Sequence, residues 1–231
     1  MSHPPRQITL AIDTVGEPGS FGVFDGSQPL YFSQVWPPKQ VLAQMGAFFE
    51  VALGKGGSAR GEVAKVAVAV GPGSFSGSRI GVAGAKALAW ALGVDVLVFD
   101  HQEALAGQAG AYPAETIVSV GDARRGQVHY LHWQGPGYFS QTMDRADALA
   151  RLGNLGAATL VGDVSGLGDE LGALLDVRVA GSESAVLRAR GWAAYLSQLS
   201  DVRSPIVPAS VEVRYVRPYE ARANFGTKHS V

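Results

Sequence analysis

Ile8-Thr-Leu-Ala-Ile-Asp-Thr-Val-Gly-Glu-Pro-Gly-Ser-Phe-Gly-Val-Phe-Asp-Gly-Ser-Gln-Pro-Leu-Tyr-Phe-Ser-Gln-Val-Trp36 reads as three short strands folded back on one another. Ile8 to Ile12 is an apolar run ending at Asp13, the pattern of a buried strand. Gly16, Pro18 and Gly19 turn the chain into Phe21-Gly-Val-Phe24. Asp25-Gly26 is a strong hairpin signal, and Leu30 to Trp36 is the third strand.

Beyond these strands the pattern changes. Pro37-Pro38 opens a helix, because proline suits the first helical turn. Val41, Leu42, Met45, Phe48, Phe49, Ala52 and Leu53 recur at helical spacing, which predicts a helix over 38–53. Val63 to Val70 is a near-continuous apolar strand, as in a buried parallel sheet. Gly71 to Gly77 is a glycine-rich turn, 79–92 a second helix capped by Gly93, and Val94 to Phe99 another strand. The order βββαβαβ predicts a mixed sheet covered by helices.

From Ile117 the same order begins again. Ile117 to Val120 leads to Asp122, then strands follow over Gln127–Trp133 and Tyr138–Met143. Next come a helix over 144–152, a strand over 159–162, a helix over 168–175, a short strand over 177–179 and a helix over 184–199. Two similarly built lobes are expected: an N-terminal lobe over 1–100, a C-terminal lobe over 101–218 and a flexible tail over 219–231. Val211 to Val216 is a further strand candidate.

Composition narrows the function. In 231 residues, 47% are hydrophobic and 17% charged, enough apolar material for a sizeable core and too much for a disordered chain. Lys+Arg is 19 against Asp+Glu 20, without the basic excess of a protein that grips nucleic acid unaided. The absence of cysteine excludes disulfides, thiol nucleophiles and thiolate metal sites. The five histidines form no H-x-x-x-H pair, so no metal is expected. The first residues lack the apolar core of a signal peptide, and the expected location is the cytoplasm.

Three features bear on chemistry. Gly71-Pro-Gly-Ser-Phe-Ser-Gly-Ser-Arg-Ile-Gly81 lies between a strand and a helix, where backbone N–H groups hold an anion or the glycines admit close packing. It is neither a Walker A loop nor G-x-G-x-x-G. Asp13 and Asp122 end equivalent strands, the placement by which actin-like and sugar-kinase folds hold a metal–nucleotide; the alternative is ordinary turn chemistry. The turns after them, Thr14-Val-Gly16 and Ala123-Arg-Arg-Gly126, are poorly made to cradle phosphate. A degenerate nucleotide or anion site is therefore expected at Asp13, Ser74, Ser76, Gly77, Asp122 and Arg124. Finally, helices 38–53 and 79–92 are apolar on nearly all sides, as helices buried on more than one face are. Small residues allow a partner helix close approach. An interface is expected at Val41, Met45, Phe48, Phe49, Gly81, Gly84, Ala85, Leu88 and Ala89, unless the rest of the chain covers these helices.

Ile8 to Thr14, Val70 to Gly81 and Val120-Gly-Asp-Ala-Arg-Arg-Gly-Gln-Val128 together resemble three signature segments of the TsaB family, and Glu103-Ala-Leu105 and Val213-Arg-Tyr-Val-Arg217 follow at the expected places. Val15 stands where the family usually has serine, Ser76 where threonine is common and Ser78 where leucine is common. The resemblance implies a two-lobed α/β fold of the actin/Hsp70/sugar-kinase (ribonuclease H-like) type. It implies a non-catalytic dimerisation subunit of the bacterial machinery that makes threonylcarbamoyladenosine beside the anticodon of tRNA. The paralogue TsaD carries the metal and the transfer chemistry, and its metal-binding histidine pair has no counterpart here. TsaD and the ATPase TsaE are the implied partners, with a homodimer when alone and tRNA reached only through the complex. No cofactor is expected to bind tightly, ATP entering in the complex through those partners. The competing reading is a stand-alone ATP-binding or peptidase-like enzyme of the same fold; a homodimeric module unconnected with tRNA is a third.

Overall fold

The structure, a computed structural model, describes residues 6–16, 19–35, 38–109, 116–134, 137–167, 177–180 and 185–215. The helix expected over 168–175 and the tail over 219–231 lie outside them.

The opening hairpins form as read: β1 (Ile8–Asp13), β2 (Gly19–Asp25) and β3 (Gln28–Val35) are antiparallel neighbours. After α1 (Pro38–Lys55), β4 (Val63–Ala69) joins β1 in parallel. α2 (Phe75–Leu92) then crosses back to β5 (Asp95–Phe99), parallel to β4. The first sheet runs β3-β2-β1-β4-β5.

Next comes α3 (His101–Ala109), and the pattern repeats. β6 (Ile117–Asp122), β7 (Gln127–Gln134) and β8 (Gly137–Asp144) are antiparallel. α4 (Arg145–Gly153) leads to β9 (Ala158–Gly162), which pairs in parallel with β6 and with β10 (Val177–Ala180). The second sheet, β10-β9-β6-β7-β8, has the same order as the first, with β6 in the place of β1. This is the two-lobed α/β class expected, each lobe a mixed sheet with helices.

Strand alternation divides the first lobe's core in two. Ile8, Leu10 and Ile12 point to the side of α1 and α2, where they meet Met45, Phe49, Val82, Ala85 and Ala89. Ala11 points to the other side, with Phe24, Phe99, Ala104 and, from α5 (Ala185–Val202), Trp192, Tyr195, Leu196 and Leu199. A sheet apolar on both faces needs cover on both, and α5 supplies the second. The C-terminal portion of the chain therefore does not stay with its own sheet. α5 packs on the first sheet, and Ile206 exchanges two 2.8 Å backbone hydrogen bonds with Val96. Val211 sits in the first core, and Arg214 N–H donates to the Val70 carbonyl at 2.8 Å. The segment 211–215 lies against the lobe as irregular chain, not as the expected strand. The second sheet builds its core with α4, through Val118, Val120, Tyr130, Met143, Ala148, Leu152 and Leu160.

α3 begins directly after the expected boundary between lobes, at His101. It starts because the Asp100 carboxylate accepts the N–H groups of Gln102 (2.7 Å) and Glu103 (3.2 Å), an N-terminal cap. It packs between α5 and strands β6, β7 and β9, so one short helix joins the lobes.

Candidate functional site

Asp13 ends the central strand of the first sheet, and its carboxylate is fully engaged. Oδ1 accepts the Val15 N–H at 3.0 Å, and Oδ2 lies 2.6 Å from Nδ1 of His101 at the start of α3. Burial alone would push the His101 imidazole down. The negative charge of Asp13, the hydrogen bond to it and the nearby Asp100 outweigh burial and hold it above its ordinary value. Burial, with the charge of Glu103, pushes the Asp100 carboxyl up, although Arg214 Nη1 lies 3.0 Å from it. One helical step on, Glu103 accepts from Tyr195 Oη at 3.1 Å and from Arg203 Nη2 at 3.0 Å. Asp13, Asp100, His101 and Glu103 are all buried; Glu103 ties this cluster to α5 through Tyr195, and Asp100 ties it to Arg214.

The glycine-rich segment packs on this turn. α2 begins at Phe75, four residues earlier than expected, because the Ser74 side chain caps it by accepting the Gly77 N–H at 3.1 Å. Ser74 N–H donates to the Val15 carbonyl at 3.2 Å, and the Thr14 hydroxyl donates to the Gly77 carbonyl at 2.6 Å. A Cβ at Gly77 would lie 1.9 Å from the Thr14 oxygen; one at Gly73, 2.5 Å from Val15 Cγ1; one at Gly81, 2.5 Å from Thr14 Oγ1. The glycines clear the space into which Thr14 and Val15 fit. Of the residues expected at an anion site, Asp13, Ser74 and Gly77 come together, held by protein partners; Ser76 stands exposed on the first turn of α2.

Asp122 holds the equivalent place in the second sheet, at the end of β6. Its Oδ1 accepts the Arg124 N–H at 2.7 Å, and its Oδ2 lies 3.2 Å from Arg124 Nη1. Arg124, Arg125 and Gly126 follow one another with φ of 64°, 58° and 76°. That left-handed conformation costs the two arginines, which carry a Cβ, more than it costs the glycine. Among the described residues no three His, Asp or Glu side chains converge to hold a metal ion.

The expected interface residues divide. Met45, Phe49, Gly81, Gly84, Ala85 and Ala89 do not face outward; they belong to the lobe's own core. A Cβ on Gly84 would lie 2.1 Å from Met45 Sδ, so Gly84 is small to admit α1. Ala85 and Ala89 are small because α2 lies close on the sheet. Phe48 and Leu88 are half-buried at the core's edge; the side chain of Val41 lies outside the described residues. The outward stripe of α2 is Ala83, Ala87, Trp90 and Ala91, with Trp90 82% exposed. On α1 the outward residues include Ala47, Val51 and Gly54, with Val51 52% exposed. No described helix is long and apolar enough to cross a membrane.

The sequence reading gave no role to His101, Asp100, Glu103, Arg203 or Arg214, although Glu103 and Arg214 lie in segments that carry the family resemblance. Asp100 followed three residues later by Glu103 had the form of a capping box and was the available signal for α3.

Comparison with known proteins places this geometry. The model of a family described as TsaD, tRNA N6-adenosine threonylcarbamoyltransferase, matches residues 39–190. The tRNA threonylcarbamoyladenosine biosynthesis protein TsaB of Bacillus subtilis (strain 168) is 44% identical over 68 residues, a stretch spanning 29% of this chain and 29% of that protein. Among solved structures, YeaZ from Pseudomonas aeruginosa superposes with a TM-score of 0.67 at 19% identity, over 91% of this chain and all of that one. An uncharacterized protein from the same organism, with similarity to peptidase YeaZ, gives 0.72 at 18% identity over the same shares. These two likenesses show the fold.

Proposed function

We propose that this chain, which belongs to the family whose model is described as TsaD, tRNA N6-adenosine threonylcarbamoyltransferase, is a TsaB-type member of it, acting in tRNA threonylcarbamoyladenosine formation as a non-catalytic subunit that docks its paralogue TsaD. The observation that carries this reading is the state of the Asp13 turn. In a nucleotide-handling lobe that turn must leave its carboxylate and backbone donors open to a metal–phosphate. Here His101 and the Val15 N–H take the carboxylate, and Thr14 and Val15 are pressed into α2. The transfer chemistry and its ATP then reside with TsaD and TsaE, tRNA is reached only through the complex, and the setting is the cytoplasm.

The docking face in this reading is the outward stripe of α1 and α2, with Trp90 as its anchor. A tryptophan largely exposed on an otherwise alanine-rich helix face is the kind of residue that carries binding energy once covered. The same face, paired with itself, gives a homodimer when the chain is alone.

Two measurements test the proposal: co-purification with TsaD, and tRNA modification in a reconstituted mixture lacking each component in turn. Omission of this chain should abolish modification, and the chain alone should produce none. Trp90→Asp should leave the circular dichroism spectrum unchanged and weaken capture of TsaD by about 30-fold or more, since an interface tryptophan is worth about 2 kcal/mol or more. Modification or ATP turnover by the chain alone supports the stand-alone enzyme instead.

A further inference from the structure

A second region of the molecule, independent of the proposed docking role, has the makings of a small-molecule site. A cavity of about 330 Å³ opens against the second sheet, lined by Tyr130, His132, Phe139, Arg151, Asn154 and Leu155. β7 sets Tyr130 and His132 two residues apart, hence on one face. Phe139 of β8 pairs directly with His132. The end of α4 and the turn after it bring Arg151, Asn154 and Leu155 over them.

Tyr130 is 2% exposed and His132 8%, yet neither side chain has a hydrogen-bond partner among the described residues. The one fully enclosed side-chain polar atom without a partner among them is Trp192 Nε1. The polar ends of Tyr130 and His132 are therefore not sealed in the core; they face the cavity. Both polar ends thus reach solvent through this one cavity, where a ligand group can replace water as their partner. The guanidinium of Arg151 lies 4.7 Å from the centroid of the Phe139 ring and forms no ion pair among the described residues. Stacking on that ring keeps the guanidinium plane fixed and its N–H edge available, as bidentate recognition requires. No carboxylate lines the cavity. Burial keeps the Tyr130 hydroxyl protonated and the His132 imidazole below its ordinary value, so the first donates and the second is neutral near pH 7.

We propose that this cavity binds a small organic anion, a carboxylate or phosphate on an apolar or aromatic body. Arg151 takes the anionic end, the Tyr130 hydroxyl and the Asn154 amide donate to it, and Phe139 and Leu155 hold the body. The cavity's size, at the lower end of the range for ligand pockets, suits a single ring with one charged group.

Saturation-transfer NMR on the full chain near pH 7 tests this, with benzoate and phenyl phosphate as probes and benzamide as the uncharged control. Arg151→Gln keeps the stem on the surface and removes the charge; Tyr130→Phe keeps the ring in the core and removes the hydroxyl. At least one anion should bind and benzamide should not. Binding should weaken at least about tenfold in Arg151→Gln and severalfold in Tyr130→Phe, as expected for losing hydrogen bonds to a charged group. Benzoate alone identifies a carboxylate site, and phenyl phosphate alone a phosphate site. Failure of both anions to bind, equal binding of benzamide, or unchanged binding in either correctly folded variant overturns the proposal.

Discussion

Replacing Gly77 by alanine should drive α2 away from the first strand, and the size of the effect follows from the contacts. The added Cβ would stand 1.9 Å from the Thr14 carbonyl oxygen, 3.0 Å from its carbon and 3.1 Å from Ser74 Cβ. Two of these atoms are backbone, so no side-chain rotation relieves the clash. The Asp13–Val15 turn and α2 must separate, which breaks the hydrogen bonds from Thr14 Oγ1 to Gly77 and from Ser74 N to Val15. Overpacking costs about 1–3 kcal/mol. The two hydrogen bonds are worth about 1 kcal/mol each. The expected loss is about 3–5 kcal/mol, or about 10 °C in Tm for a chain of this size. Gly46→Ala is the control. Gly46 lies inside α1 with nothing within 4 Å of the added atom. Alanine there should stabilise by up to about 1 kcal/mol through helix propensity. Thermal denaturation followed by circular dichroism measures both. A Gly77→Ala protein melting within about 2 °C of the parent would refute the claim that the glycines exist to admit the Asp13 turn.

Three further outcomes are expected. Ala85→Asp places a carboxylate at a fully buried position between α2 and the sheet, so it should abolish the cooperative melt and not merely disrupt association. His101 has its imidazole held above the ordinary 6.5; the stability it contributes is complete below that value and lost as pH rises through its folded value. The Tm advantage of the parent over His101→Gln should therefore shrink from pH 6 to pH 9, and a constant difference refutes the ion pair. Arg214→Ala leaves the Asp100 carboxylate, 4% exposed, without its cation, and should cost about 1–3 kcal/mol in urea denaturation.

Much of the first lobe was legible in the sequence because its signals are local. Asp25-Gly26, the apolar run of β1 and the glycines of 71–81 each act within a few residues. What pattern reading could not supply is contact across the chain. His101 meets Asp13 from 88 residues away, and Arg214 meets Asp100 from 114. α2 was legible as a helix but not in its orientation. It is apolar all round, so periodicity does not say which side faces the sheet. Small residues suited a partner helix and its own sheet equally well, and only the structure turns Ala85 and Ala89 inward and Trp90 outward. α3 escaped because its residues are mostly polar or small and its burial comes from contact with both lobes.

The closing of residues 185–215 onto the first sheet sets the order in which the molecule assembles during synthesis. Strands β1 to β5 leave the ribosome early, yet the face carrying Ala11, Phe24 and Phe99 stays bare until Trp192 and Leu196 have been made. β5 acquires its Ile206 neighbour later still. The second sheet, with its core drawn from β6 to β9 and α4, has all of those partners before the first has α5. The lobe translated first is therefore the lobe finished last. Such long-range closure slows folding and lengthens the time an apolar sheet face spends in water.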